Sequence, residues 1–171
     1  MQNHFDLFQL PQQFAVDAAA LEQAYRRVQS QVHPDKFVTG SDTEKRVAMQ
    51  WATRANEAYQ TLKDPLKRAA YLCQLHGVDL ETESNTAMPR AFLMQQMEWR
   101  ETLDEVRADK DIDALEVLNR ELRESHKAQV AVIGIRLDAG DYAAAAQAVR
   151  QLMFLEKFGA EISQLFEFLE H

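Results

Sequence analysis

One tripeptide, His33-Pro34-Asp35, constrains this chain most, because it interrupts an otherwise continuous helical pattern. Before it, Leu21, Ala24, Tyr25, Val28 and Val32 recur at steps of three or four, which is one apolar face of a helix. After it, Val47, Trp51, Ala55, Ala58 and Leu62 repeat the spacing. Pro34 disfavours helical geometry at His33 and its ring cannot continue a helix, so the first segment stops there. Ser41 and Glu44 have the S-x-x-E spacing of a capping box, which restarts the helix. So short a connection makes the helices antiparallel neighbours, with His33, Pro34 and Asp35 at the exposed tip of a hairpin.

The rest of the chain also reads as helix. Glycine and proline are scarce, at 5 and 4 of 171 residues, and Ala/Leu/Glu/Gln/Arg runs are long, so an all-α fold is predicted. Residues 4–10 suit a short helical turn ended by Pro11, and Asp17 is a good cap for the helix that runs to Val32. Arg26 and Arg27 fall opposite its apolar stripe and point to solvent. Asp64-Pro65 opens a short helix closing near Gly77. Polar residues without helical period follow, so the domains are placed at 1–77 and 89–171, with 78–88 as the linker.

Pro89, Asp111 and Asp141 then open three long helices, which with such short connections form an antiparallel three-helix bundle. Ile112, Leu115, Leu118, Leu122, Val130, Ile133 and Leu137 line the second, and His126 shares that face as a packed or partly wet residue. Tyr142, Ala145, Ala146, Val149, Leu152 and Met153 line the third, and beyond Gly159 the stripe shifts toward Ile162, Leu165, Phe166 and Leu169. A bend at Gly159 or a changed neighbour would account for the shift.

The helix opened by Pro89 carries more apolar residues than its packing needs. Phe92, Gln96, Trp99, Leu103 and Val106 make a sufficient seam, yet Leu93, Met94 and Met97 lie on another side, beside Glu98, Glu101 and Glu105. Apolar residues rimmed by carboxylates mark a partner site, and methionine adapts to a partner's shape. Phe154 in the third helix is similarly off its stripe and is a candidate for the same patch. Self-association through Leu93, Met94 and Met97 is the rival use of this surface.

Charge and cysteine content exclude several classes. Up to Gly77 there are nine Lys or Arg against eight Asp or Glu, and from Val78 onward ten against nineteen. An acidic second half argues against nucleic-acid binding, which needs cations to displace phosphate counterions. A single Cys73 rules out an internal disulfide or a cysteine metal cage. No apolar run approaches the roughly 20 residues that span a bilayer, and no signal-peptide pattern opens the chain, so a cytoplasmic protein free of membrane is expected. No histidine has a recognisable nucleophile or metal partner and no glycine-rich phosphate loop occurs, so neither an enzyme nor a metal or cofactor site is predicted.

Three blocks in order resemble the J-domain over residues 3–76: Tyr25-Arg26-Arg27, His33-Pro34-Asp35-Lys36, and Ala58-Tyr59-Gln60-Thr61-Leu62-Lys63-Asp64-Pro65-Leu66-Lys67-Arg68-Ala69-Ala70-Tyr71. An acidic bundle following without a Gly/Phe-rich or zinc module resembles the HscB family of co-chaperones, as do Phe5-Asp6-Leu7-Phe8-Gln9-Leu10, Phe37 and the run Ala91–Glu105. That resemblance covers the whole chain. It implies a J-domain, an antiparallel hairpin with short flanking helices, followed by the bundle. It also implies an HscA/DnaK-type ATPase as the partner of His33, Pro34, Asp35, Arg26, Arg27 and Lys36. An iron–sulfur scaffold of the IscU type is then the partner of Leu93, Met94, Met97, Glu98, Glu101, Glu105 and Phe154. The chain lacks the CxxC-bearing extension of eukaryotic members, which implies a bacterial-type member without a metal of its own, and a monomer is expected. A general J-domain co-chaperone that presents unfolded clients is the alternative.

Overall fold

The computed structural model describes residues 2–80 and 88–171, and every regular element among them is helical. In order these are α1 (His4–Leu7), α2 (Ala18–Val32), a 3-10 turn (Pro34–Phe37), α3 (Asp42–Lys63), α4 (Pro65–Leu75), α5 (Arg90–Asp109), α6 (Ile112–Asp138) and α7 (Tyr142–Glu170). Two compact units emerge, Met1–Leu72 and Cys73–His171, so the division falls inside α4 rather than at Gly77. Of the segment read as a linker, residues 81–87 lie outside those described. Val78 and Leu80 attach to the second unit: Val78 N donates to Cys73 O at 3.0 Å, and Leu80 O accepts from the buried Arg150 Nε at 3.5 Å.

In the first unit, side-chain caps fix where the helices begin. Asn3 and Asp6 form a reciprocal capping box on α1, Asp17 accepts from Ala19 N, and Ser41 accepts from Glu44 N at 3.1 Å. Phe5, Phe8, Leu21, Ala24, Ala55, Ala58, Leu62 and Leu72 are buried. Tyr25 and Tyr59 join α2 to α3, their rings parallel at 4.2 Å, with Phe8 edge-on to Tyr25. Tyr71 of α4 stacks on His4 at 4.3 Å and accepts a hydrogen bond from its backbone N–H. The predicted apolar face of α3 fails at its start. Val47 is 45% exposed and Trp51 is also exposed, while Ala48 takes the inner place. Ala48, Ala55, Ala58 and Leu62 form the buried line, Val47 is rotated to its flank, and the indole is too large for that line to cover.

The second unit is built on α6 and α7, its most extensive pairing. Leu115, Leu118, Leu122, Ile133 and Leu137 of α6 face Ala145, Val149, Leu152, Leu155, Phe158 and Ile162 of α7, all buried. Asp111 and Asp141 cap the two helices through Ala114 N and Ala144 N, and Gly140 makes the intervening turn at φ +75°. The buried line of α7 turns toward Ile162 and Leu165 as the sequence suggests, but the turn begins at Leu155 and Phe158, before Gly159, without interruption, and Met153 stands exposed. Gly159 instead serves close approach: a Cβ there would lie 3.1 Å from Leu122 Cδ2. Trp99, Leu103 and Val106 of α5 complete the core, Trp99 stacking on Phe158 at 5.6 Å.

Candidate functional site

The α2–α3 tip is a polar surface shaped by its own backbone. His33 is extended (φ −61°, ψ 137°), which ends α2, and its Nδ1 accepts from Asp35 N at 3.2 Å to cap the 3-10 turn. That bond requires an Nδ1 without a proton. Lys36 N returns to His33 O at 3.0 Å, and Pro34 supplies the first residue of the turn, where no N–H is needed. The Asp35 side chain is 87% exposed, and its Oδ2 lies 3.6 Å from His33 Nδ1, too far for a hydrogen bond. The carboxylate is therefore presented with its acceptor capacity unused among the described residues. Arg26, Arg27 and Lys36 are exposed, with Arg26 held by Glu22 at 2.7 Å.

Beyond the tip, α3 exposes apolar side chains that the sequence reading placed inside or did not single out. Val38, Val47, Met49 and Trp51 are all exposed, Val47 and Trp51 on one side of α3 and Met49 on the opposite side, and the Arg54 guanidinium lies 5.3 Å over the Trp51 ring. Met49 off the predicted stripe was the available signal.

The second surface lies on the first turns of α5. Leu93, Met94 and Met97 are exposed, Met97 by 66%, and Glu98, Glu101 and Glu105 are exposed with them. At 3.6 residues per turn, Met94, Met97, Glu98, Glu101 and Glu105 share an arc of about 100°, with Leu93 on its edge. Phe154 is half exposed and stands edge-on to Phe92, with ring centroids 6.4 Å apart, so it borders the same end of α5. The backing is thin here: Gln96 Nε2 is buried without a partner, and full burial begins only at Trp99. Just beyond, Arg100 grips Glu161 of α7 through two hydrogen bonds of 2.8 Å. Those bonds hold the Glu161 carboxyl below its usual range. His126 is partly exposed with Nε2 3.4 Å from Glu156 Oε1, and no cluster that could hold a metal occurs among the described residues.

Comparison with known proteins decides what these surfaces belong to. The co-chaperone protein HscB homolog of Burkholderia mallei is 59% identical over 169 residues, covering 99% of this chain and 97% of that one. This chain belongs to the HscB family. It is a J-domain co-chaperone of iron–sulfur cluster assembly. The DnaJ domain family matches residues 3–71, and the family described as HSCB C-terminal oligomerisation domain matches residues 88–163. Among solved structures, chaperone HscB from Vibrio cholerae is similar with a TM-score of 0.85 at 37% identity, covering 98% of this chain and 99% of that one. Human co-chaperone protein HscB is similar with a TM-score of 0.87 at 28% identity, covering 96% and 82%. The helical fold and the J-domain expected from the sequence are thus those of the HscB family. The DnaJ match places this HscB-family chain beside an Hsp70-type chaperone. No described helix is long and apolar enough to cross a membrane.

Proposed function

We propose that this co-chaperone is a two-site adaptor working in the cytoplasm. Its hairpin tip stimulates the ATPase of an HscA/DnaK-type chaperone, and its α5 patch carries an IscU-type scaffold to that chaperone. The observation that supports this most is the presence of two unpartnered surfaces of opposite chemistry, one in each unit. Asp35 offers an uncommitted carboxylate on a proline-set turn, flanked by Arg26, Arg27 and Lys36. Such charges steer and orient a partner more than they tighten it. Leu93, Met94 and Met97, joined by Phe154, offer apolar area worth about 1 kcal/mol per side chain when covered. Glu98, Glu101 and Glu105 select the register. Joining the two sites raises the effective concentration of client at the chaperone, without any new contact. No catalytic role is assigned to any residue.

The test is a reconstituted ATPase assay with the full chain, a DnaK-type chaperone and the scaffold. Stimulation by the chain alone, enhanced when the scaffold is added, is the expected result, and a chain inert toward every such chaperone overturns the proposal. The description of the matched family as an oligomerisation domain favours a second use of the α5 patch, self-association. Light scattering at micromolar concentration separates the two: a monomer leaves the patch free for the scaffold, whereas a stable dimer that resists added scaffold assigns it to self-association.

A further inference from the structure

At the opposite end of α5 from the Met94–Met97 patch, α5 and α7 border an open cleft of about 450 Å³ lined by Arg107, Lys110, Glu161, Gln164, Leu165 and Phe168. That volume lies in the range of roughly 300–1,000 Å³ common to ligand sites. Its floor is Leu165, buried, and its wall is Phe168, 67% exposed and supported by no aromatic neighbour among the described residues. Glu161 is already committed to Arg100 on both oxygens, and Arg107 and Lys157 further favour its charged form. Arg107 reaches only Asp104, in a long 3.3 Å contact on its own helix, and Lys110 has no partner among the described residues. The lining of the cleft thus holds two cations, Arg107 and Lys110, against one carboxylate that is already paired, in the half of the chain that is otherwise strongly acidic. Asp111 is turned into the cap of α6, and Glu167 and Glu170 fall on α7 about 100° or more away from Phe168.

We propose that this cleft is a docking site for an acidic peptide segment carrying an aromatic or aliphatic side chain. Such a side chain would lie between Leu165 and Phe168, and its neighbouring carboxylates would meet Lys110 and Arg107. Gln164 is placed to bond the peptide backbone. The site is distinct from the α5 patch, roughly 20 Å away along the helix at 1.5 Å per residue, and it does not depend on the scaffold proposal. A titration of the isotope-labelled full chain with acetyl-Glu-Glu-Phe-Glu-Glu-amide, followed by backbone amide NMR, tests it. Saturable shifts at Lys110, Gln164 and Phe168 are expected. Lys110→Glu and Phe168→Ser, both at exposed positions, should each weaken binding about tenfold, and Met97→Ala should leave it unchanged. The proposal fails if millimolar peptide moves none of these amides. It fails equally if acetyl-Lys-Lys-Phe-Lys-Lys-amide moves them as strongly, or if the shifts centre on Leu93–Met97.

Discussion

At the α2–α3 tip the groups on display are polar and their positions are set by the backbone: a proline, a histidine cap and a tight turn fix where one carboxylate points. On the first turns of α5 the displayed groups are flexible apolar side chains on a regular helix, and what sets them apart is that nothing covers them. The first kind of surface tolerates little chemical change, because its shape and its charge reside in single atoms. The second is distributed, so its loss should be graded and roughly additive in area.

Substitution breaks the comparison most sharply at the tip. Asp35→Asn keeps the shape and removes the charge, so stimulation of the chaperone ATPase should fall by at least about tenfold, with scaffold binding and thermal stability unchanged. Equal stimulation by the variant would show that the tip acts by shape alone. On α5, replacing Leu93, Met94 and Met97 together with Ala should weaken scaffold binding by about a hundredfold, the sum of about 1 kcal/mol from each. Each single variant should cost a share of this. A steep fall in melting temperature instead would show that these side chains belong to the core.

Two changes behind the patch sharpen its side of the contrast. Gly159→Val drives a branched side chain toward Leu122 and should cost about 1–3 kcal/mol in denaturant unfolding, while the tip keeps its ATPase stimulation. The smallest effect is expected for Glu161→Gln. Glu161 titrates lower in the folded chain than when unfolded, so its stabilising effect is present above the unfolded pKa, near 4.5, and is lost as pH falls through the lower folded value. The variant should therefore lose at most about 1 kcal/mol at pH 7, since both partners are partly exposed, and should lose less on acidification than the parent. Unfolding curves at pH 7 and pH 3 check this.

Features that depend on local chemistry were legible in the sequence. Asp17, Ser41, Asp111 and Asp141 announce the helix starts because a side-chain cap needs only its neighbours two or three residues on. Pro34 announces the tip for the same reason. What depends on a partner element was less legible. Periodicity placed Val47 and Trp51 on the inner face of α3 but could not say how wide a surface the neighbouring helices cover. At Gly159 the sequence left a bend and a changed neighbour equally open, since the residue's function lies in Leu122, 37 positions away. The excess of apolar residues on α5 was readable as pattern, whereas Phe154's approach to Phe92 required α7 to be placed. The histidine cap on the Asp35 N–H left no trace in spacing at all.

The last turn of α4 has a practical consequence. Cys73 is the sole thiol of the chain, fully buried beside the Tyr142 carbonyl, with its pKa pushed up to about 11 by burial. A fragment cut at Gly77 would carry this sulfur away from the helix that shelters it, and would be open to air oxidation and crosslinking where the parent is inert. In the intact protein the same sulfur is a built-in reporter, silent to thiol reagents until the second unit comes apart.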